Sequence, residues 1–150
     1  MTKGQRAKEL FLSGYNCAQA VAGAFADEMG MSLDTIARLV SPFGGGIGRS
    51  REVCGTVSGM MFVLGSLRGY DDPQAYDEKK RLYSEAQQLI NKFKEDNGSI
   101  ICRELLAGEG RDNSAVPSAR TETYYKKRPC PELCLYAADL LEDYISKLEL

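Results

Sequence analysis

The chain contains no histidine. That absence removes a Ser-His-Asp or Cys-His triad, a metal site built on two histidines, a Rieske centre, and haem attachment through CxxCH. Long apolar runs are missing as well. The most apolar window, Val53 to Leu67, is broken by glycines and hydroxyls and falls short of the roughly 20 residues that span a bilayer. It predicts a buried core helix and no membrane insertion. The opening residues, MTKGQRAKELFLSGYNC, lack the unbroken apolar stretch and small-residue cleavage site of a secretory signal, so a cytoplasmic protein is expected. Neither sign of charge dominates: 19 basic and 21 acidic residues give a formal net charge of -2, and no global footprint for nucleic acid or anionic lipid results. The partner expected is a small-molecule substrate or an electron donor or acceptor, with a homodimer left open.

Alternating strand patterns, hairpin turns, internal repeats and low-complexity tracts are also absent, whereas helical signals recur throughout the chain. With 150 residues, the expectation is one all-α domain, a bundle of about six or seven helices spanning 1–150 with its own core. A first helix covers about Thr2 to Leu12. Asn16 caps a second that runs to Met29, and Ser32 caps a third that ends near Pro42. A glycine-rich loop follows, then a buried fourth helix from Cys54 to about Leu67. Asp72 and Pro73 predict the cap and first turn of a long fifth helix, with a stripe of Tyr76, Leu82, Tyr83, Ala86, Leu89, Ile90 and Phe93. Ser99 is expected to open a sixth helix, SIICRELLAG. The seventh starts at Cys130 and Pro131 and carries Leu133, Ala137, Leu140, Leu141, Tyr144, Ile145 and Leu148 on one face. Residues 107–129 form a connection longer than is usual in a compact domain, expected to be mobile or functional. Tyr124, Tyr125, Lys126, Lys127 and Arg128 within it read as a solvated face or a dock for an acidic partner.

Five cysteines remain to be explained: Cys17, Cys54, Cys102, Cys130 and Cys134. In a reducing compartment they point to metal or redox chemistry before a disulfide scaffold. On the helix map Cys17, Cys54, Cys102 and Cys130 all fall at helix starts, where unpaired N–H groups and the helix dipole favour a thiolate. Four such ends, brought together, would surround an anionic thiolate-ligated centre. The stretch GGGIGRSREVCGTVSG fits the same picture. Gly45, Gly46 and Gly48 would let main chain approach a cluster or substrate, and Arg49 and Arg51 would add positive charge. Gly55 and Gly59, four apart, would let another helix pack closely. GGGIGRS matches neither GxGxxG nor the Walker pattern, so nucleotide binding is not expected. Cys130 and Cys134, in CPELC, share one helix face.

The segments GYNCAQAV, FGGGIGRSREVCGTVSG, GSIICRELLAG and CPELCLYAADLLE, in that order, resemble the redox-active family defined by four separated cysteines and a CGAxxG motif. The family's four cysteines then fall on Cys17, Cys54, Cys102 and Cys130, with Thr56 where the motif prefers alanine and Cys134 as an addition. The family is also similar to the cysteine-bearing domain of split-Soret cytochromes, which implies an iron–sulfur centre; the haem of those proteins is absent here by motif. Three functions are carried forward. In the first, the four cysteines ligate an iron–sulfur centre for electron transfer. In the second, Cys54 attacks as a thiolate in thiol–disulfide exchange, with Cys17, Cys102 or Cys130 as partner. In the third, the same four thiols hold zinc or copper(I) in a module without catalysis.

Overall fold

The computed structural model describes residues 1–148. Helix α1 (Lys3–Leu12) opens on a capping box in which Thr2 and Gln5 satisfy each other's backbone N–H groups. Asn16 and Gln19 repeat the device at α2 (Cys17–Gly23). The expected second helix to Met29 is divided: α2 ends at Gly23, and a short α3 (Ala26–Met29) follows across the buried Phe25, closed by Gly30 in the left-handed region. Ser32 caps α4 (Leu33–Val40) as predicted.

The glycine-rich stretch is wound more tightly than an open loop. A 3-10 turn (Ser41–Phe43) leads into α5 (Gly44–Ile47), which is kinked because Gly45 and Gly46 are left-handed, at φ 66 and 71. The long core helix α6 (Gly55–Arg68) follows. Its Gly55 and Gly59 face α2 so closely that a Cβ at Gly59 would stand 2.8 Å from the Ala18 carbonyl oxygen. The two small residues therefore set the α2/α6 separation, and with it the position of the cysteines that start both helices.

Asp72 does not cap the next helix. Its carboxylate accepts from the Gln74 N–H in a local turn, and α7 (Tyr76–Asn97) begins three residues beyond Pro73. Of the expected stripe, Leu89 and Phe93 are buried while Tyr76 and Tyr83 face solvent; the buried row runs through Glu85 instead. Ser99 does not begin a helix either. Ile101 pairs antiparallel with Val53, so Ile101 is extended and α8 (Cys102–Leu106) starts at the cysteine itself. This isolated bridge is a β element the periodicity did not suggest.

The connection 107–129 contains a 3-10 turn (Ala107–Arg111) and α9 (Glu122–Lys127). The final helix, α10 (Cys130–Ser146), packs along α1 and reaches α2 and α6. Leu10, Phe11, Val21, Phe25, Met60, Leu64, Phe93 and Leu141 fill the shared core. The fold is all-α, and among the described residues no helix is long and apolar enough to cross a membrane.

Candidate functional site

Four helix starts meet at one cavity of about 50 Å³. Cys17 is the first residue of α2, Cys54 the N-cap of α6, Cys102 the first residue of α8 and Cys130 the first of α10. All four line that space. Main-chain pairing accounts for two of the positions: the Cys54 N–H donates to the Ile100 carbonyl at 2.7 Å, and the Cys102 N–H to the Glu52 carbonyl at 2.6 Å. The Val53/Ile101 bridge thus clamps two cysteine-bearing strands of chain side by side. Gly46 completes the wall. A Cβ there would come within 2.6 Å of the Cys102 Cβ and 2.7 Å of the Glu52 nitrogen, so the backbone runs where a side chain has no room.

Three arginines supply the charge of the lining, beside the polar Asn16 and Tyr124, and among the described residues no carboxylate lines it. Arg51, left-handed at φ 62, directs its Nη1 to the Cys102 sulfur at 3.7 Å and its Nε to the Asp112 carbonyl at 2.9 Å. Arg120 lies over the Phe11 ring and donates to the Phe11 and Tyr15 carbonyls at 3.0 and 2.9 Å. Arg128 stacks on Tyr124, 4.5 Å from its ring centre. The connection 107–129 is therefore drawn over the cavity, through Asp112 on one side and Tyr124 and Arg128 on the other.

Burial governs the thiols. It pushes Cys54 up to about 11, against a hydrogen bond with the Thr56 hydroxyl at 3.1 Å that pulls the other way. Cys102 is also raised by burial, with Arg51 acting to lower it. The Cys17 thiol interacts with both cysteines of CPELC: Cys130 lowers it, Cys134 and burial raise it, and the outcome lies well above the usual thiol range. Its interaction with Cys17, then burial, raises Cys130, and burial raises Cys134. Helix-start placement is present, yet the thiolate expected of Cys54 is not, because desolvation outweighs a dipole effect of about 1 kcal/mol. Arg49 does not help Cys54: its guanidinium is spent on Ser114, Val116 and Ser118, with Asp112 at 3.4 Å.

Of the residues singled out from sequence, Cys17, Cys54, Cys102, Cys130, Gly45, Gly46, Arg51 and Gly55 line the cavity, while Gly48 and Arg49 line an adjoining open groove. Cys134 is fully buried beside Cys17, outside the lining. Sequence reasoning missed Arg120 and took Tyr124 and Arg128 for part of a solvated run. A usable signal was the position of three arginines in a long connection with no apolar stripe of its own. Among the described residues, no three Cys, Asp or Glu side chains are arranged to hold a metal ion.

Fold and lining together define an all-α protein with a buried multi-cysteine centre. Residues 15–144 match the family described as "Putative redox-active protein (C_GCAxxG_C_C)", and the chain belongs to that family. Where that label spells GCAxxG, this chain reads CGTVSG, Cys54 to Gly59. No curated protein and no solved structure matches the chain.

Proposed function

We propose that Cys17, Cys54, Cys102 and Cys130 form one redox centre that ligates an iron–sulfur cluster for electron transfer. The observation that carries this reading is their arrival from four separate elements at one cavity walled by three arginines and, among the described residues, no carboxylate. Four thiolates and an iron–sulfur core carry net negative charge, and the guanidinium groups offset it. The donor set and the bare backbone of Gly46 and Gly55 fit such a group. A single zinc or copper(I) ion fits less well, since it needs its thiolates about one point at roughly 2.3 Å, and no such group of three is in place. When bound, a cluster supplies reversible one-electron chemistry.

The chain's own contribution is environmental. Arg51 Nη1 donates toward the Cys102 sulfur, and the Thr56 hydroxyl can donate to Cys54, which stabilises each sulfur as an anion. Phe11, Leu106 and Leu133 exclude water. The thiols are protonated in the metal-free chain at neutral pH, so ligation releases protons and strengthens as pH rises. Anaerobic purification followed by iron and acid-labile sulfide analysis tests the reading. Stoichiometric iron and sulfide, lost in Cys54→Ser, are expected; a chain that neither retains nor can be reconstituted with iron contradicts it.

A second reading rests on the Cys17 contact with CPELC. In it, Cys17 and either Cys130 or Cys134 each give up one proton and together two electrons, forming one S–S bond while a small-molecule disulfide is reduced to two thiols. Peptide mapping of the metal-free chain after exposure to oxidised glutathione would find a Cys17–Cys130 or Cys17–Cys134 crosslink. This reading pairs Cys17 with CPELC and leaves Cys54 out, because Cys17 interacts with the Cys130 and Cys134 thiols, whereas Cys54 is hydrogen-bonded to the Thr56 hydroxyl.

A further inference from the structure

Arg51 is only 3% exposed and, among the described residues, has no carboxylate within salt-bridge reach. Its Nε and Nη1 are used, but Nη2 is buried without any partner. Among the described residues, Arg128, whose side chain is 8% exposed, likewise leaves Nε buried and unpartnered, and the one carboxylate it meets, Glu109, stands 3.9 Å away from Nη2. Both arginines line the thiol cavity, and both also line the adjoining groove of about 440 Å³ that opens it toward solvent. Among the described residues, no Asp or Glu lines either space. A buried guanidinium without a counter-charge, as at Arg51, is costly by several kcal/mol; at Arg128 the carboxylate of Glu109 reaches Nη2 and not Nε, and water could satisfy the N–H groups without supplying the charge missing at Arg51.

We infer that a small oxyanion binds at the junction of groove and cavity, held by Arg51 Nη2 and Arg128 Nε beside Cys102 and Cys130. Two guanidinium N–H donors suit the two oxygens of a carboxylate or the edge of a phosphate or sulfate. The groove volume is that of a small-molecule site, and its position places such a ligand against the thiols. A chain with a net charge of -2 overall would thus gather its positive charge where an anionic substrate enters.

The site is a property of the protein side chains, so it can be tested on the reduced, chelator-treated full chain, and its failure is separable from that of the iron–sulfur reading. Sodium phosphate and, in a parallel arm, sodium acetate are titrated at constant ionic strength, with sodium chloride as the control. The Nε–H NMR signals of Arg51 and Arg128 are followed. A saturable shift with phosphate or acetate and none with chloride is expected, and the arm with the lower Kd identifies the oxygen geometry. Arg128→Gln should weaken that binding about tenfold or more, with the folded spectrum otherwise retained. No saturable shift with either oxyanion, or the same shift with chloride, overturns the inference.

Discussion

Two arginines withdrawn from solvent, Arg68 and Arg51, are housed in opposite ways. Arg68, on α6, forms a two-pronged pair with Glu85 of α7 at 2.8 to 3.1 Å. Arg81 and the Tyr144 hydroxyl, the latter at 2.8 Å, complete the carboxylate's shell, and Arg81 returns an N–H to the Arg68 carbonyl. Among the described residues, no buried side-chain donor or acceptor of this network lacks a partner. Arg51 meets sulfur, a carbonyl and an unfilled space. A closed polar network fixes helices in register; an open one of the same chemistry, walled by thiols, retains capacity for a ligand. The difference separates the part of the molecule that holds the bundle together from the part that meets other molecules.

The comparison can be broken most severely at Glu85. Glu85→Ala should destabilise the fold by about 4 kcal/mol in chemical denaturation, since it strands Arg68 and Arg81, while leaving oxyanion binding at Arg128 unchanged. Burial by itself would raise the Glu85 pKa, but hydrogen bonds from Arg68, Tyr144 and Arg81 outweigh it and hold the carboxyl below the usual range. A depressed folded pKa means stability present above the unfolded value of about 4.3 and lost as pH falls through the folded one. Wild type and Glu85→Gln should therefore converge in stability at acid pH.

The thiol cavity should respond at the other end of the scale. Because the folded Cys54 pKa is raised to about 11, its contribution is fully present below the unfolded thiol value of about 8.5 and lost as pH rises through 11. Cys54 alone should account for about 3 kcal/mol of the stability that the reduced metal-free chain loses over that window, and Cys54→Ala should flatten the slope in urea titrations by that share. A slope unchanged by the substitution would show that Cys54 is solvated. Gly46→Ala should cost about 2 kcal/mol through its φ of 71 and the contact with Cys102, and should also lower iron incorporation. Smallest is Arg128→Gln, within about 1 kcal/mol of wild type in stability while its oxyanion affinity falls; a large loss of stability there would place Arg128 with Arg68 as a structural residue.

The two regions also differ in how far they could be read from sequence. Cysteines at helix starts are legible because capping is local: Asn16 with Gln19 announces Cys17, and Cys130 with Pro131 announces α10. Gly55 and Gly59 announced a close helix neighbour, which α2 provides. What escaped was decided by contacts between distant residues. The Val53/Ile101 bridge overrode the helical signal of SIIC, and Arg51 and Arg120 reach carbonyls at Asp112, Phe11 and Tyr15 that no local rule connects. Glu85 left a trace: it stands four residues before Leu89 and eight before Phe93, a charge in the buried row of α7. Such a charge calls for partners, and they come from α6 (Arg68), α10 (Tyr144) and one turn earlier on α7 itself (Arg81).

The central claim is that the four cysteines act as one centre. The most direct test is an anaerobic potentiometric titration of the iron-reconstituted chain followed by electron paramagnetic resonance, with Cys17→Ser, Cys54→Ser, Cys102→Ser and Cys130→Ser beside wild type and Cys134→Ser as the internal control. One reversible one-electron couple in wild type and Cys134→Ser, lost or strongly shifted in each of the other four, is the predicted result. A couple that survives unchanged in any one of those four variants, or a wild-type chain that shows none, would contradict it.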